Sequence, residues 1–140
     1  FLYVSWARDV YKRQMKRLIT AISLLTIAGI LCGIGFLSMK KQVDTLTQLF
    51  HEGAQAAQAE DEERLHTCTK ELQKAWEKSH VVFSMLIQHH DLDDLETDIL
   101  DLNNLLKEKE FKEYKRTCEA GIIELDHIYN SEIPSVGNVF

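Results

Sequence analysis

The sequence predicts an all-α protein in which a single N-terminal transmembrane helix continues into a small antiparallel helical bundle. One uncharged stretch of twenty residues is long enough to cross a bilayer. In the remainder of the chain, apolar residues recur at spacings of three and four, and no stretch alternates with a period of two. The 140 residues are enough for one domain.

Charge is distributed unevenly along the chain. Residues 1–41 contain seven Lys and Arg and one acid, which gives +6, whereas residues 42–140 contain nine Lys and Arg and 21 acids, which gives −12. Because binding to nucleic-acid phosphates requires a basic surface, the acidic body argues against nucleic acid as a partner. With 45% hydrophobic residues and only one Pro, a disordered chain is also excluded.

The candidate anchor is the stretch from Leu18 to Leu37, LITAISLLTIAGILCGIGFL. At about 1.5 Å per residue it spans about 30 Å, the thickness of the hydrocarbon core of a bilayer. It is longer than the apolar region of about 7–15 residues in a secretory signal peptide. Leu31 also lacks the small side chain expected before a lipidated cysteine at Cys32. We therefore expect a retained anchor that contacts membrane lipid from Leu18 to Leu37.

The orientation of the anchor follows from the basic residues around it. Lys16 and Arg17 precede the stretch and Lys40 and Lys41 follow it, so the basic residues further upstream decide the balance. The positive-inside rule then favours a single-pass protein of the cell membrane with its N-terminus inside and its acidic body outside the cytoplasm.

Four segments follow from these patterns. Residues 1–14 show no helical pattern and are expected to be a non-native leader or, if native, a short cytoplasmic tail. Residues 15–41 form the membrane anchor, residues 42–133 the acidic helical bundle, and residues 134–140 a C-terminal tail.

The apolar residues of the bundle fall into four helical stripes, which run from Val43 to Ala57, from Leu65 to Leu86, from Leu92 to Leu106 and from Phe111 to Tyr129. Acidic residues at 59–63 suit the start of the second helix, because the helix dipole favours negative charge there. We expect Asp91 to be the N-cap of the third helix. The third break, at residues 107–110, contains no Gly or Pro.

Two Glu-x-x-His pairs, Glu77/His80 and Glu124/His127, match the spacing used in di-metal four-helix bundles. On helical wheels, Glu77 and His127 lie away from the apolar stripes and point to solvent. The expected axial heights of His80 and His127 also differ by more than about 15 Å. Both arguments oppose a di-metal site.

The cluster of His89, His90, Asp91 and Asp94 is the densest group of potential metal ligands in the sequence. Adjacent histidines at a helix end diverge, so a zinc or calcium site there would need further ligands from elsewhere. Capping of two helix ends explains every one of these residues without a metal, and we favour it.

Cys68 and Cys118 both lie on apolar stripes. We expect an axial separation of about 20 Å between them, which is too far for a disulfide. Both are therefore predicted to be buried free thiols.

No catalytic motif is found in the chain. It contains no Gly-x-Ser-x-Gly and no Gly-rich phosphate loop, and no Ser or Cys is set in a turn with a base beside it. We expect neither an enzyme nor a bound cofactor.

The run from Val81 to Ile87 is more apolar than one buried stripe requires. If the second helix folds back along the first, this run returns toward the membrane, where it could contact lipid or a membrane protein. The alternative is that the run is buried on all sides in the bundle. The candidate interaction residues are Trp76, Phe83, Pro134, Asn138 and Phe140, with the tail expected to dock on the bundle.

The motifs Trp76-Glu77-Lys78, His-His-Asp-Leu-Asp-Asp-Leu at 89–95 and Pro-x-x-x-Asn-Val-Phe at 134–140 follow a single anchor. Together they resemble a membrane-anchored family of Firmicutes known as domain of unknown function 4363, over Met15 to Phe140. This resemblance implies a single-pass helical envelope protein and carries over no functional residue.

The sequence thus favours a non-enzymatic protein-interaction or structural module of the bacterial envelope, tethered to the membrane, with an envelope or membrane protein as its partner. The alternative is an extracytoplasmic ligand- or metal-binding module that uses the His89–Asp94 helix junction.

Overall fold

The computed structural model describes residues 1–87 and 89–132. It contains the helices α1 (Leu2–Gln58), α2 (Glu62–Leu86), α3 (His89–Glu108) and α4 (Phe111–Glu132), and no strand occurs in these ranges. The prediction of an all-α protein is confirmed. The chain forms two compact units, Phe1–Leu37 and Ser38–Phe140.

The first unit consists of the N-terminal part of α1. This helix is long and apolar enough to cross a membrane, and its most apolar window is not buried by protein. The hydroxyls of Thr20, Ser23 and Thr26 donate hydrogen bonds of 2.8–2.9 Å to the carbonyl four residues earlier. These three hydroxyls are therefore satisfied within the helix itself.

Residues 2–14 are helical, although their sequence shows no helical pattern. Their side chains are exposed throughout the described part of this segment. Helical periodicity arises only when one face of a helix is buried. The spacing of apolar residues therefore could not predict this helix, because none of its faces is buried.

The second unit is a four-helix bundle made of residues 38–58 of α1 together with α2, α3 and α4. Each helix buries one stripe in a common core. The largest fully buried side chains are Tyr114, Phe50, Phe83, Met39, Leu46, Leu65, Leu72, Leu92, Leu95, Ile99, Leu102 and Leu125. The predicted stripes therefore become the faces along which the helices pack.

The turn between α1 and α2 closes with a hydrogen-bonded cap. Glu60 adopts a left-handed conformation with φ of 53°, and the Asp61 N–H donates to the Ala56 carbonyl at 3.1 Å. The Asp61 side chain then accepts from the Arg64 N–H at 3.1 Å and caps α2. Glu62 follows in the first turn, so the expected acidic start of this helix is confirmed.

The turn between α3 and α4 repeats this arrangement without Gly or Pro. Lys109 has a φ of 57°, and the Glu110 N–H donates to the Leu105 carbonyl at 3.0 Å. Lys109 Nζ lies 2.7 Å from Glu62 Oε1, which links the two turns at one end of the bundle. We call this end the turn end. The opposite end, where the second unit starts at Ser38, is called the Ser38 end.

Two predicted boundaries differ from the structure. α3 begins at His89, so Asp91 lies inside the first turn and is not the N-cap. Its carboxylate still interacts favourably with the positive end of the helix dipole, which is why the sequence predicted this helix start to within one turn. α4 extends to Glu132, beyond Tyr129, the last residue of its predicted stripe.

The axial separations predicted across the bundle are wrong. Cys68 lies six residues after the start of α2, and Cys118 lies seven residues after the start of α4. His80 and His127 lie 18 and 16 residues after the same starts. Because α2 and α4 both begin at the turn end, each pair shares an axial level to within about 3 Å.

Candidate functional sites

A buried polar cluster joins α2 to α4 in the core. Thr69 Oγ1 donates to the Leu65 carbonyl at 2.7 Å, and Tyr114 Oη lies 2.8 Å from Thr69 Oγ1. Gly53 of α1 faces this cluster, and a Cβ there would lie 3.2 Å from Cys118 Sγ. The two hydroxyls satisfy each other, so the cluster positions the helices without a ligand.

Cys68 and Cys118 are free and buried, as predicted. Helix α3 packs against both α2 and α4, whereas among the described residues no Cα atom of α2 lies within 8 Å of one in α4. The two thiols are thus separated across the bundle rather than along it, and a disulfide needs Cα atoms within about 7 Å.

Burial also makes both thiols poor nucleophiles. Desolvation raises the pKa of Cys118 to about 12, and an electrostatic contribution from Cys68 adds to this increase. Desolvation, followed by the charge of Glu52, raises the pKa of Cys68. Since the thiolate is the reactive form, both side chains are protonated and unreactive at neutral pH.

The predicted ligand cluster at the start of α3 is largely solvated. His90 Nδ1 lies 3.6 Å from Asp94 Oδ2, and both side chains are exposed. A hydrogen bond with its own backbone, followed by the charge of Asp94, raises the pKa of His90. The side chain of His89 lies outside the described part of the structure.

Asp91 and Asp94 instead meet α4. They line a surface cavity of about 260 Å³ together with Glu124 and His127. Within the described residues, Glu124 Oε2 is buried and has no hydrogen-bond partner. Desolvation raises the pKa of Glu124, and Asp98, Asp94 and Asp91 of α3 raise it further. This crowding of carboxylates disfavours their charged forms.

Among the side chains that the structure describes, which do not include that of His89, no group of three or more His, Cys, Asp or Glu is arranged to hold a metal ion. The Glu77/His80 pair is separate from this cavity, and His80 packs edge-on against Trp76 at 5.6 Å between ring centroids. His127 is exposed, as the helical wheel predicted.

The candidate interaction residues have different positions. Trp76 and Phe83 are buried in the core, with ring centroids 6.1 Å apart. They pack the bundle and contribute little to its exposed surface. Pro134, Asn138 and Phe140 lie outside the described residues.

The sequence marked the run from Val81 to Ile87 as unusually apolar, but it did not reveal that two lysines extend this run into an exposed stripe on α2. Within the run from Val81 to Ile87, Phe83 and Ile87 are buried, but Val81 is 57% and Met85 78% exposed. Lys74 and Lys78 precede them on the same face and are exposed. The spacing of these four residues, four then three then four, is the signal that would have revealed the stripe.

Comparison with known proteins identifies the family of this bundle. Residues 34–139 match the model of a domain of unknown function, DUF4363. This range starts near the end of the apolar stretch and not at Met15, where the resemblance in sequence begins. No curated protein and no solved structure matches the chain. Because the matched range covers more than half of its length, the chain belongs to the DUF4363 family.

Proposed function

We propose that this protein is a single-pass membrane protein of the bacterial envelope whose bundle is a non-enzymatic interaction or structural module. The observation that carries the proposal is the contrast between an apolar helix that protein does not cover and a bundle that buries its own apolar stripes. Lipid is the medium in which such a helix is stable.

The proposed orientation is N-terminus inside. Five basic residues precede the apolar stretch, Arg8, Lys12, Arg13, Lys16 and Arg17, whereas Lys40 and Lys41 follow it closely. The positive-inside rule counts these residues and gives little weight to the acids of the bundle.

A non-enzymatic role is supported by the state of the reactive groups. The two thiols of the bundle are buried and protonated. Its acidic surface, concentrated on α3, suits contact with a protein partner that carries basic side chains.

Cross-linking of the full chain in native membranes, followed by mass spectrometry, tests the interaction. We expect cross-links from the bundle to one envelope or membrane protein. Cross-links that match only the abundance of surrounding proteins would contradict the proposal.

Orientation is tested with Leu100→Cys in a Cys32→Ser background. Leu100 is exposed on α3, so a membrane-impermeant thiol reagent should label it in intact cells. Labelling only after lysis would place the bundle in the cytoplasm.

The alternative function, ligand or metal binding at the His89–Asp94 junction, is favoured by the cavity that Asp91 and Asp94 share with Glu124 and His127. Metal analysis of the purified full chain separates the two functions. Stoichiometric metal that is lost in His89→Ala/Asp91→Ala would support the alternative.

A further inference from the structure

One face of α2 combines basic and apolar side chains near the Ser38 end. Lys74, Lys78, Val81 and Met85, which we call the α2 stripe, lie within an arc of about 60° at 100° per residue. All four are exposed. Among the described residues, neither lysine lies within 4.0 Å of a carboxylate oxygen.

The order of these residues along α2 is the important feature. α2 starts at the turn end and ends at Leu86, so its C-terminus lies at the Ser38 end. At 1.5 Å per residue, Met85 and Val81 lie within about 8 Å of this C-terminus, and Lys78 lies about 12 Å from it. Apolar side chains therefore come first from this end, and basic side chains follow one turn further.

The Ser38 end is joined to the apolar stretch by a single peptide bond, because Ser38 follows Leu37 directly. If that stretch crosses the bilayer, this end of the bundle is held at the membrane surface. Each leaflet presents a headgroup layer of roughly 5–8 Å outside the hydrocarbon core. The order in the α2 stripe matches such an interface, in which apolar side chains lie deepest and lysines meet the headgroup phosphates.

From this arrangement we infer that the α2 stripe docks on the surface of an anionic bilayer. Met85 and Val81 insert among the lipid headgroups, while Lys78 and the exposed Lys40 and Lys41 contact the phosphates. The inference rests on the proposed membrane anchor and adds a second, reversible contact between the bundle and lipid.

The distribution of charge determines which side of the bundle docks. α2 contains four basic and four acidic residues, whereas α3 contains seven acids, one of them Glu108, and only Lys107 as a basic residue. An anionic surface repels α3 and attracts the lysines of α1 and α2. The lipid contact is therefore expected on the α1 and α2 side of the Ser38 end, and not at α3.

Two exposed apolar side chains would be ordinary on a freely diffusing protein. Here the tether changes the balance, because it makes the contact between the α2 stripe and the bilayer intramolecular. A contact too weak to recruit a soluble protein is then strong enough to orient a tethered one.

The test uses the full chain with Met85→Cys in a Cys32→Ser background, labelled with a fluorophore whose emission reports local polarity. Cys68 and Cys118 are buried and do not compete for the label. Leu100→Cys is the matched control, because Leu100 is an apolar residue with 56% exposure in the middle of α3. Each protein is reconstituted in vesicles of phosphatidylcholine, with and without phosphatidylglycerol.

We expect emission at position 85 to shift to shorter wavelength in the anionic vesicles, and emission at position 100 to remain that of a water-exposed label. Lys78→Glu should reduce the docking equilibrium constant at least about fivefold, since one lysine near an anionic surface contributes about that factor.

Three results would overturn the inference. Equal, water-like emission at positions 85 and 100 in a chain that floats with the vesicles removes the docking and leaves the anchor intact. If the emission shift at position 85 increases with the amount of protein per vesicle and does not depend on lipid charge, the α2 stripe binds a second copy of the chain instead of lipid. A chain that fails to float with vesicles removes the anchor and the docking together.

Discussion

The two units of this protein use similar residues in opposite ways. Leu25 in the first unit is 80% exposed, whereas Leu102 in the second is fully buried, and both lie in regular helices. An apolar surface on every side of a helix is typical of a membrane span or of the core of a larger protein, whereas a single apolar stripe is typical of packing against other helices. Periodicity, more than hydrophobic content, therefore distinguishes the two environments.

Removing a buried leucine should produce the largest effect on this contrast. Leu102→Ala is expected to lower the free energy of unfolding of the bundle by about 2–5 kcal/mol, because it leaves a cavity in the core. Leu100→Ala on the same helix and Leu25→Ala in the first unit should each change it by less than about 0.5 kcal/mol.

The measurement is denaturant unfolding of the full chain in vesicles, followed by the fluorescence of Trp76 in a Trp6→Phe background. If Leu25→Ala lowered the stability as much as Leu102→Ala does, the proposed difference in burial between the two units would be wrong.

Two glycines provide the next test. A Cβ at Gly121 would lie 2.7 Å from Phe50 Cζ, whereas a Cβ at Gly29 meets nothing within 4 Å. Gly121→Ala should therefore cost about 1–3 kcal/mol through overpacking, reduced by up to about 1 kcal/mol from the higher helix propensity of alanine. Gly29→Ala should leave the unfolding of the bundle unchanged.

Phe50→Leu is the internal control, because a smaller side chain relieves the overlap. Combined with Gly121→Ala, it should cost less than the sum of the two single changes. Additive costs would place the two residues out of contact.

The buried hydroxyl pair should contribute a smaller amount. Tyr114→Phe removes the hydrogen bond to Thr69 and is expected to cost about 0.5–1.5 kcal/mol. Thr26→Val in the first unit, whose hydroxyl bonds its own helix, should not affect the bundle. A neutral Tyr114→Phe would mean that packing alone joins α2 to α4.

The smallest expected effect is electrostatic and depends on pH. Burial and neighbouring carboxylates raise the pKa of Glu124, and burial and Asp101 raise that of Asp98. The folded state therefore binds more protons than the unfolded state at pH values just above the ordinary range of a carboxyl group, so stability falls as pH rises through that window. The raised pKa of His90 acts in the same direction.

Glu124→Gln should consequently stabilise the bundle at neutral pH, by less than about 1 kcal/mol because solvent screens a partly exposed group. It should also flatten the dependence of unfolding on pH, whereas Glu119→Gln, an exposed change on the same helix, should not. A destabilising Glu124→Gln would mean that the carboxylate has a partner in solution.

Most of the fold was predictable because each element leaves a local signature. The apolar stretch, the four stripes and the acidic start of α2 each depend on residues within a few turns of one another. The break at Lys109 was harder, since a lysine there adopts a conformation that usually indicates glycine. The helix at residues 2–14 leaves no signature because none of its described side chains is buried.

The candidate sites were less predictable because they depend on which helices meet. The cavity of Asp91, Asp94, Glu124 and His127 combines the two helix ends that antiparallel packing brings together, and neither half indicates it alone. The cysteines were correctly predicted to be free, but the reason was wrong. The prediction assumed a large axial distance between them, and this distance is absent because α2 and α4 start at the same end of the bundle. Trp76 and Phe83 were predicted to contact a partner, but the packing of the four helices buries both side chains.

We expect residues 18–37 to require lipid, because their apolar side chains are exposed on every side, whereas the bundle buries its own apolar residues. Fractionation of cells without detergent, followed by an alkaline carbonate wash, tests it most directly. The intact chain should remain with the membranes and be released only by detergent. Recovery of the intact, uncleaved chain in the aqueous supernatant would contradict the account.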